Sequence, residues 1–197
     1  MKDKRLLIVL YGNANEGKTT TLKELILKLS NNGKGNPALC SNLYKKFPKT
    51  GKNKDGRFIL DVDGKSVYIA TEGDDWRFSN VNAKFFEGSI DPKMIIHRVT
   101  STDVIPLTDE EKEQIKGHRA DICVCACRPS GDSTGAVKAL HMYCEKAIEN
   151  DFIYQLWVQK NSEMKDELKV DEEKANTIKA DELKTYIENF IKKGTIH

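Results

Sequence analysis

A chain of 197 residues with 39% hydrophobic and 31% charged side chains can bury one full core, is too short for two ordinary domains, and is too apolar to stay disordered. Its 32 Lys and Arg stand against 30 Asp and Glu, so net charge makes no case for a nucleic-acid or membrane partner. No apolar stretch approaches the roughly 18 residues of a membrane span, and the five cysteines lack a disulfide-scaffold spacing, so a cytoplasmic protein with a single domain over residues 1–197 is expected.

The charged start, Met1 to Arg5, followed by Leu6 to Tyr11 has the outline of a secretory leader, but the apolar run is too short and leads into glycine and lysine. An uninterrupted apolar run of this length predicts instead a strand buried on both faces. Gly12 ends it, and from Lys18 the apolar residues fall at Leu22, Leu25, Ile26 and Leu29, the spacing of an amphipathic helix that Asn31, Asn32 and Gly33 should stop. Residues 45–57 are basic and turn-rich, with Pro48, Gly51 and Gly56, which predicts a loop. Arg57 to Val62 and Lys65 to Ala70 flank Asp63-Gly64, the strongest short hairpin signal, so the sheet should be mixed.

After a mostly polar segment containing Phe85-Phe86, Met94 to Ile96 suggests a short strand. Thr108, with Glu110 and Glu111 behind it, starts a capped helix running to about Arg119. Ile122 to Cys127 and Phe152 to Val158 predict two further buried strands, separated by a helix over about 134–149. The last 35 residues are charged and helical, and Leu183, Tyr186, Ile187, Phe190 and Ile191 form a stripe that should dock the final helix on the sheet. Neither an internal repeat nor a low-complexity tract is present.

The chemistry is concentrated in Gly12-Asn13-Ala14-Asn15-Glu16-Gly17-Lys18-Thr19, which spells G-x-x-x-x-G-K-S/T. The glycines let successive amides turn inward, and the helix that follows adds its positive end, so the segment from Gly12 through Thr20 is a candidate polyphosphate cradle. Lys18 would reach the terminal phosphates, and Thr19 would offer its hydroxyl to the Mg2+ bridging them. The motif needs a strand before it and a helix after it, and this chain supplies both.

Through residues 6 to about 32 the chain resembles the P-loop NTPase superfamily. Asn13 stands where the partition and nitrogenase-type ATPases carry a lysine, so that branch is disfavoured. The resemblance implies an α/β, three-layer, Rossmann-like fold with a mostly parallel sheet and one β-hairpin, together with ATP and Mg2+ as ligands.

Ligands of such sheets sit beyond the carboxyl ends of the strands, so the residues following each strand line one crevice. An NTPase needs a carboxylate there to hold the metal and position water. Glu72 and Asp74, after the Lys65 to Ala70 strand, are the candidates, Asp74 also as a metal ligand. Asp61 is the competitor, disfavoured because the hairpin would put it at the far end of the sheet. Two readings of Arg128 stand: it stabilises charge on a transferring phosphoryl group, or it is structural, paired with Asp132 or Glu72. The stretch Ser130 to Gly135 reads better as a helix-capping turn than as a second anion site.

The basic loop and hairpin also resemble small GTPases. Glu72-Gly73 stands where their D-x-x-G motif ends, with Ala70 at the aspartate position, and Gln159-Lys160-Asn161-Ser162 lacks the base-reading aspartate of N/T-K-x-D. Both departures favour ATP over GTP. Cys123, Cys125 and Cys127 alternate onto one strand face and read as core packing before metal binding. No His, Ser and Asp set suggests a hydrolase nucleophile, and Tyr44 and Phe47 are too few for a nucleic-acid surface.

The expected function is therefore ATP binding with hydrolysis of the β–γ phosphoanhydride, carried by Lys18, Glu72, Asp74 and Arg128. The alternatives are transfer to a small-molecule or nucleoside acceptor received near Asp74 to Arg77, and a non-hydrolysing module that reports nucleotide to a protein partner.

Overall fold

The structure, a computed structural model, describes residues 3–13, 16–31, 35–37, 57–71, 76–88, 96–98, 104–106, 109, 113, 116–128, 142, 152–160 and 170–196. Its strands are β1 (Lys4–Tyr11), β2 (Gly35–Pro37), β3 (Arg57–Val62), β4 (Lys65–Ala70), β5 (Ile96–Arg98), β6 (Val104–Pro106), β7 (Ile122–Cys127) and β8 (Phe152–Gln159). The helices are α1 (Lys18–Asn31), α2 (Trp76–Glu87) and α3 (Glu172–Lys193).

Six strands form one sheet in the order β2-β3-β4-β7-β1-β8. The pairs β4–β7, β7–β1 and β1–β8 are parallel, while β2–β3 and β3–β4 are antiparallel. The sheet is mixed, as the Asp-Gly turn predicts. Asp63 and Gly64 have φ of 52° and 77°, both in the left-handed region that a two-residue turn of this kind requires. The Asp61 carboxylate accepts the Gly64 amide at 2.9 Å and fixes that turn.

Alternate residues of the central strands feed two cores, since successive side chains point to opposite faces. On one face Leu6, Ile8 and Leu10 pack with Leu22 and Leu25 of α1 and with Leu183, Ile187 and Phe190 of α3. On the other, Leu7 and Val9 join Cys123, Cys125 and Cys127 beneath Val81, Phe85 and Phe86 of α2. The molecule is thus an α/β fold with helices on both faces of the sheet. The placement follows from handedness: the α1 crossover runs from β1 toward the β4 side and the α2 crossover runs back, so right-handed connections put the two helices on opposite faces.

The three strand cysteines are core residues. Burial pushes the Cys127 thiol up to about 12, the Cys125 charge adds to this, and Lys18 opposes it. Arg5, also buried, is the second residue of β1: its Nε and Nη2 donate to the Ala120 carbonyl at 3.1 and 2.8 Å, and its guanidinium lies 3.9 Å from the Phe86 ring centre.

Two elements depart from the sequence reading. Residues 76–87, within the segment read as mostly polar, form α2; its inward face carries polar Asn82, whose Oδ1 accepts the Tyr68 hydroxyl at 2.8 Å, which interrupts the apolar stripe. Strand β2 goes unread because Gly35-Asn36-Pro37 has no strand character of its own and pairs only at the edge with β3. Of the strand expected over Met94 to Ile96, Ile96 lies in β5, which pairs with β6 in a separate two-stranded sheet, while Met94 and Ile95 lie outside the described residues. Of the helix expected over 108–119, Asp109 and Glu113 are helical, and of that over 134–149, Met142 is; the rest of both helices, apart from non-helical Lys116 to Arg119, lies outside the described residues, as do residues 45–56 of the basic loop.

Helix α3 is well delimited. Asp171 caps it by accepting the Lys174 amide at 2.8 Å, Glu172 and Glu173 sit in the first turn, and Gly194, at φ 66°, ends it with its amide on the Phe190 carbonyl. Among the described residues no helix is long and apolar enough to cross a membrane.

Candidate functional site

Strand β1 holds the middle of the parallel part of the sheet. The chain leaves β1 through α1 toward β3 and β4, but after β7 it next enters β8, on the other side of β1. Adjacent strands whose continuations diverge define a topological switch point, and the crevice at their carboxyl ends is where such sheets bind ligands. Here that crevice lies between Gly12, after β1, and Arg128, after β7. The Gly12 amide donates to the Cys127 carbonyl at 3.3 Å, and the Lys160 amide donates to the Tyr11 carbonyl at 2.8 Å. Three strand ends therefore converge on the start of the loop.

Both motif glycines are required by what surrounds them. A Cβ on Gly12 would run into the Lys160 carbonyl and come within 2.5 Å of the Glu16 carboxylate. Gly17 has φ 79°, and a Cβ there would lie 2.5 Å from Asn176 Oδ1. The Lys18 ammonium, buried, folds back along the loop and donates to the carbonyls of Gly12 at 2.7 Å and Asn13 at 2.5 Å. Glu16 reaches in the same direction: its Oε2 accepts the Asn13 amide at 2.5 Å and its Oε1 accepts Asn13 Nδ2 at 3.3 Å. The first turn of α1 contains no acidic residue, so its positive end is uncompensated within the helix. A loop amide already holding a carboxylate oxygen, a buried ammonium and a helix start together suit a phosphate.

Thr19 is half-buried at the second position of α1, Thr20 is exposed, and Ala14 and Asn15 lie outside the described residues. Arg128, half-buried, stands at the β7 side of the crevice. Glu72 and Asp74 also lie outside the described residues; the chain enters their segment at buried Thr71, at the same edge of the sheet, with β7 between β4 and β1. Asp61 is at the opposite edge: it pairs with Ser66, one residue before Val67, which faces Ile122 at the start of β7. Among the described residues no group of three His, Cys, Asp or Glu side chains could hold a metal ion.

Asn176 is the site residue that the sequence reading missed. It is buried on α3, and its Oδ1 accepts the Thr21 hydroxyl at 3.1 Å beside Gly17. The available signal was the stripe itself: extended one and two turns back from Leu183 it meets Lys179 and Asn176, polar residues on the buried face.

No protein-family model, curated protein or solved structure matches the chain, so the functional reading rests on these residues.

Proposed function

We propose that the protein is a P-loop NTPase that binds ATP with Mg2+ and hydrolyses its β–γ phosphoanhydride. The observation that carries this reading is the complete G-x-x-x-x-G-K-T loop spanning the carboxyl end of β1 and the start of α1 at the switch point of the sheet. Loop amides and the α1 start hold the phosphates. Lys18 exchanges its bonds to the Gly12 and Asn13 carbonyls for phosphate oxygens, which costs little because it is already buried at the loop. Thr19 and a carboxylate from Glu72 or Asp74 would hold Mg2+, which when bound neutralises phosphate charge. Arg128, across the crevice, is placed for charge that develops during transfer. The preference for ATP rests on the missing base-reading aspartate after Lys160.

Transfer to an acceptor received near Asp74 to Arg77 is the second reading, and Arg128 would serve it as it would serve hydrolysis. Calorimetry with ATP and GTP, on the unmutated chain and on Lys18→Ala, tests the binding step. Loss of most ATP affinity in a folded variant is expected, and an unchanged affinity refutes the proposal. Phosphate release with and without a panel of acceptors then separates hydrolysis from transfer.

A further inference from the structure

Glu16 does not behave as an ordinary residue ahead of a helix. A carboxylate ahead of a helix can meet the free amides of its first turn, where the dipole favours negative charge. This one turns backward, accepts the amide and side-chain nitrogen of Asn13, and brings Oε2 within 2.5 Å of where a Cβ on Gly12 would be. That is the mouth of the loop, beside the two carbonyls that hold the Lys18 ammonium. Asn13 is exposed and Glu16 is half-buried, so the side chain has room to swing out.

We infer that Glu16 is a tethered competitor for the terminal phosphate: its carboxylate takes the loop amide that a phosphate oxygen needs, and a nucleotide binds by displacing it. The inference rests on the phosphate-loop reading and adds to it the residue that sets affinity. A tethered anion competes at high effective concentration, and a charged acceptor makes a stronger bond to an amide than a neutral one. Glu16 also repels a phosphate that approaches while it remains in place. The carboxylate lies beside the carbonyls that hold Lys18, the residue this reading assigns to the terminal phosphates, so the competition penalises a triphosphate more than a monophosphate.

The test uses Glu16→Ala and Glu16→Gln in the full chain, with two readouts. Amide exchange at Asn13, followed by NMR without nucleotide, should accelerate about tenfold in Glu16→Ala, and calorimetry should show ATP binding about tenfold tighter, equivalent to about 1.4 kcal/mol. Glu16→Gln, which keeps the shape without the charge, should fall between, and AMP affinity should change far less than that of ATP. Unchanged Asn13 exchange overturns the inference outright. Accelerated exchange with unchanged or weaker ATP affinity also overturns it, while leaving the nucleotide reading intact. If the unmutated chain and both variants all fail to bind ATP, both readings fall together.

Discussion

Gly17→Ala probes the loop without reference to any ligand. An L side chain at φ 79° sits in the left-handed region, which costs roughly 1–2 kcal/mol for a residue with a Cβ. The added methyl also meets Asn176 Oδ1 at 2.5 Å, and Asn176 is buried with its oxygen committed to Thr21. Moving it breaks a buried hydrogen bond, worth about 1 kcal/mol or more. The variant should therefore lose about 2–4 kcal/mol, or roughly 4–16 °C in Tm for a domain of this size. Asn176→Ala removes the obstacle, so Gly17→Ala in that background should cost only the conformational part. A double-mutant cycle by urea denaturation should give a coupling of about 1 kcal/mol or more. Additivity within about 0.5 kcal/mol would refute the contact between α3 and the loop.

On the metal side, Glu72→Gln or Asp74→Asn should lower Mg2+-dependent turnover about tenfold or more, while Asp61→Asn, at the opposite edge, leaves it unchanged in a phosphate-release assay. Phe86→Ala removes a fully buried ring and the face under Arg5, and should cost about 3–5 kcal/mol in denaturant titration. For Cys127 the folded thiol titrates at about 12 against an ordinary value of 9.0. Over that window the unfolded chain has released a proton that the folded chain retains, so stability should hold up to about pH 9 and decline above it. Cys127→Ala should flatten that decline in stability-against-pH measurements, leaving the shares that Cys125 and Tyr186, both also raised, contribute.

Local chemistry decided which elements were legible. Strands β3, β4 and β7 have the boundaries read from the sequence, because Asp63-Gly64 fixes one hairpin and an apolar run flanked by polar residues fixes the other strand. Helix α1 was readable for the same reason, its stripe being apolar throughout. Helix α2 was not, since Asn82 on its buried face owes its place to the Tyr68 hydroxyl, a residue 14 positions away. Strand β2 is set by its pairing with β3. At the site, the loop was legible because its motif is contiguous. Asn176, although on the extended stripe, could not be tied to the loop from sequence, because its role arises from the packing of α3 on α1, across 155 residues from Thr21.

That long-range contact bears on how the loop works. A phosphate cradle must hold its amides aligned before the ligand arrives, or ordering the loop consumes binding energy. The first turn of α1 is tied to Gly17 through the Thr21 amide at 2.8 Å, and to α3 through the Thr21 hydroxyl. Lys28 of α1 adds an ion pair to Asp181 of α3 at 2.7 Å, a half-exposed contact of small worth. Asn176 is the firmer tie, because it is buried and lies against Gly17, whose backbone is in the left-handed region. Asn176→Ala should thus weaken ATP binding in calorimetry through a larger ordering penalty, even though no atom of Asn176 needs to meet the nucleotide. The expected signature is a more unfavourable binding entropy, with affinity reduced about three- to tenfold. Unaltered affinity and entropy in a folded Asn176→Ala would show that the loop holds its shape without α3.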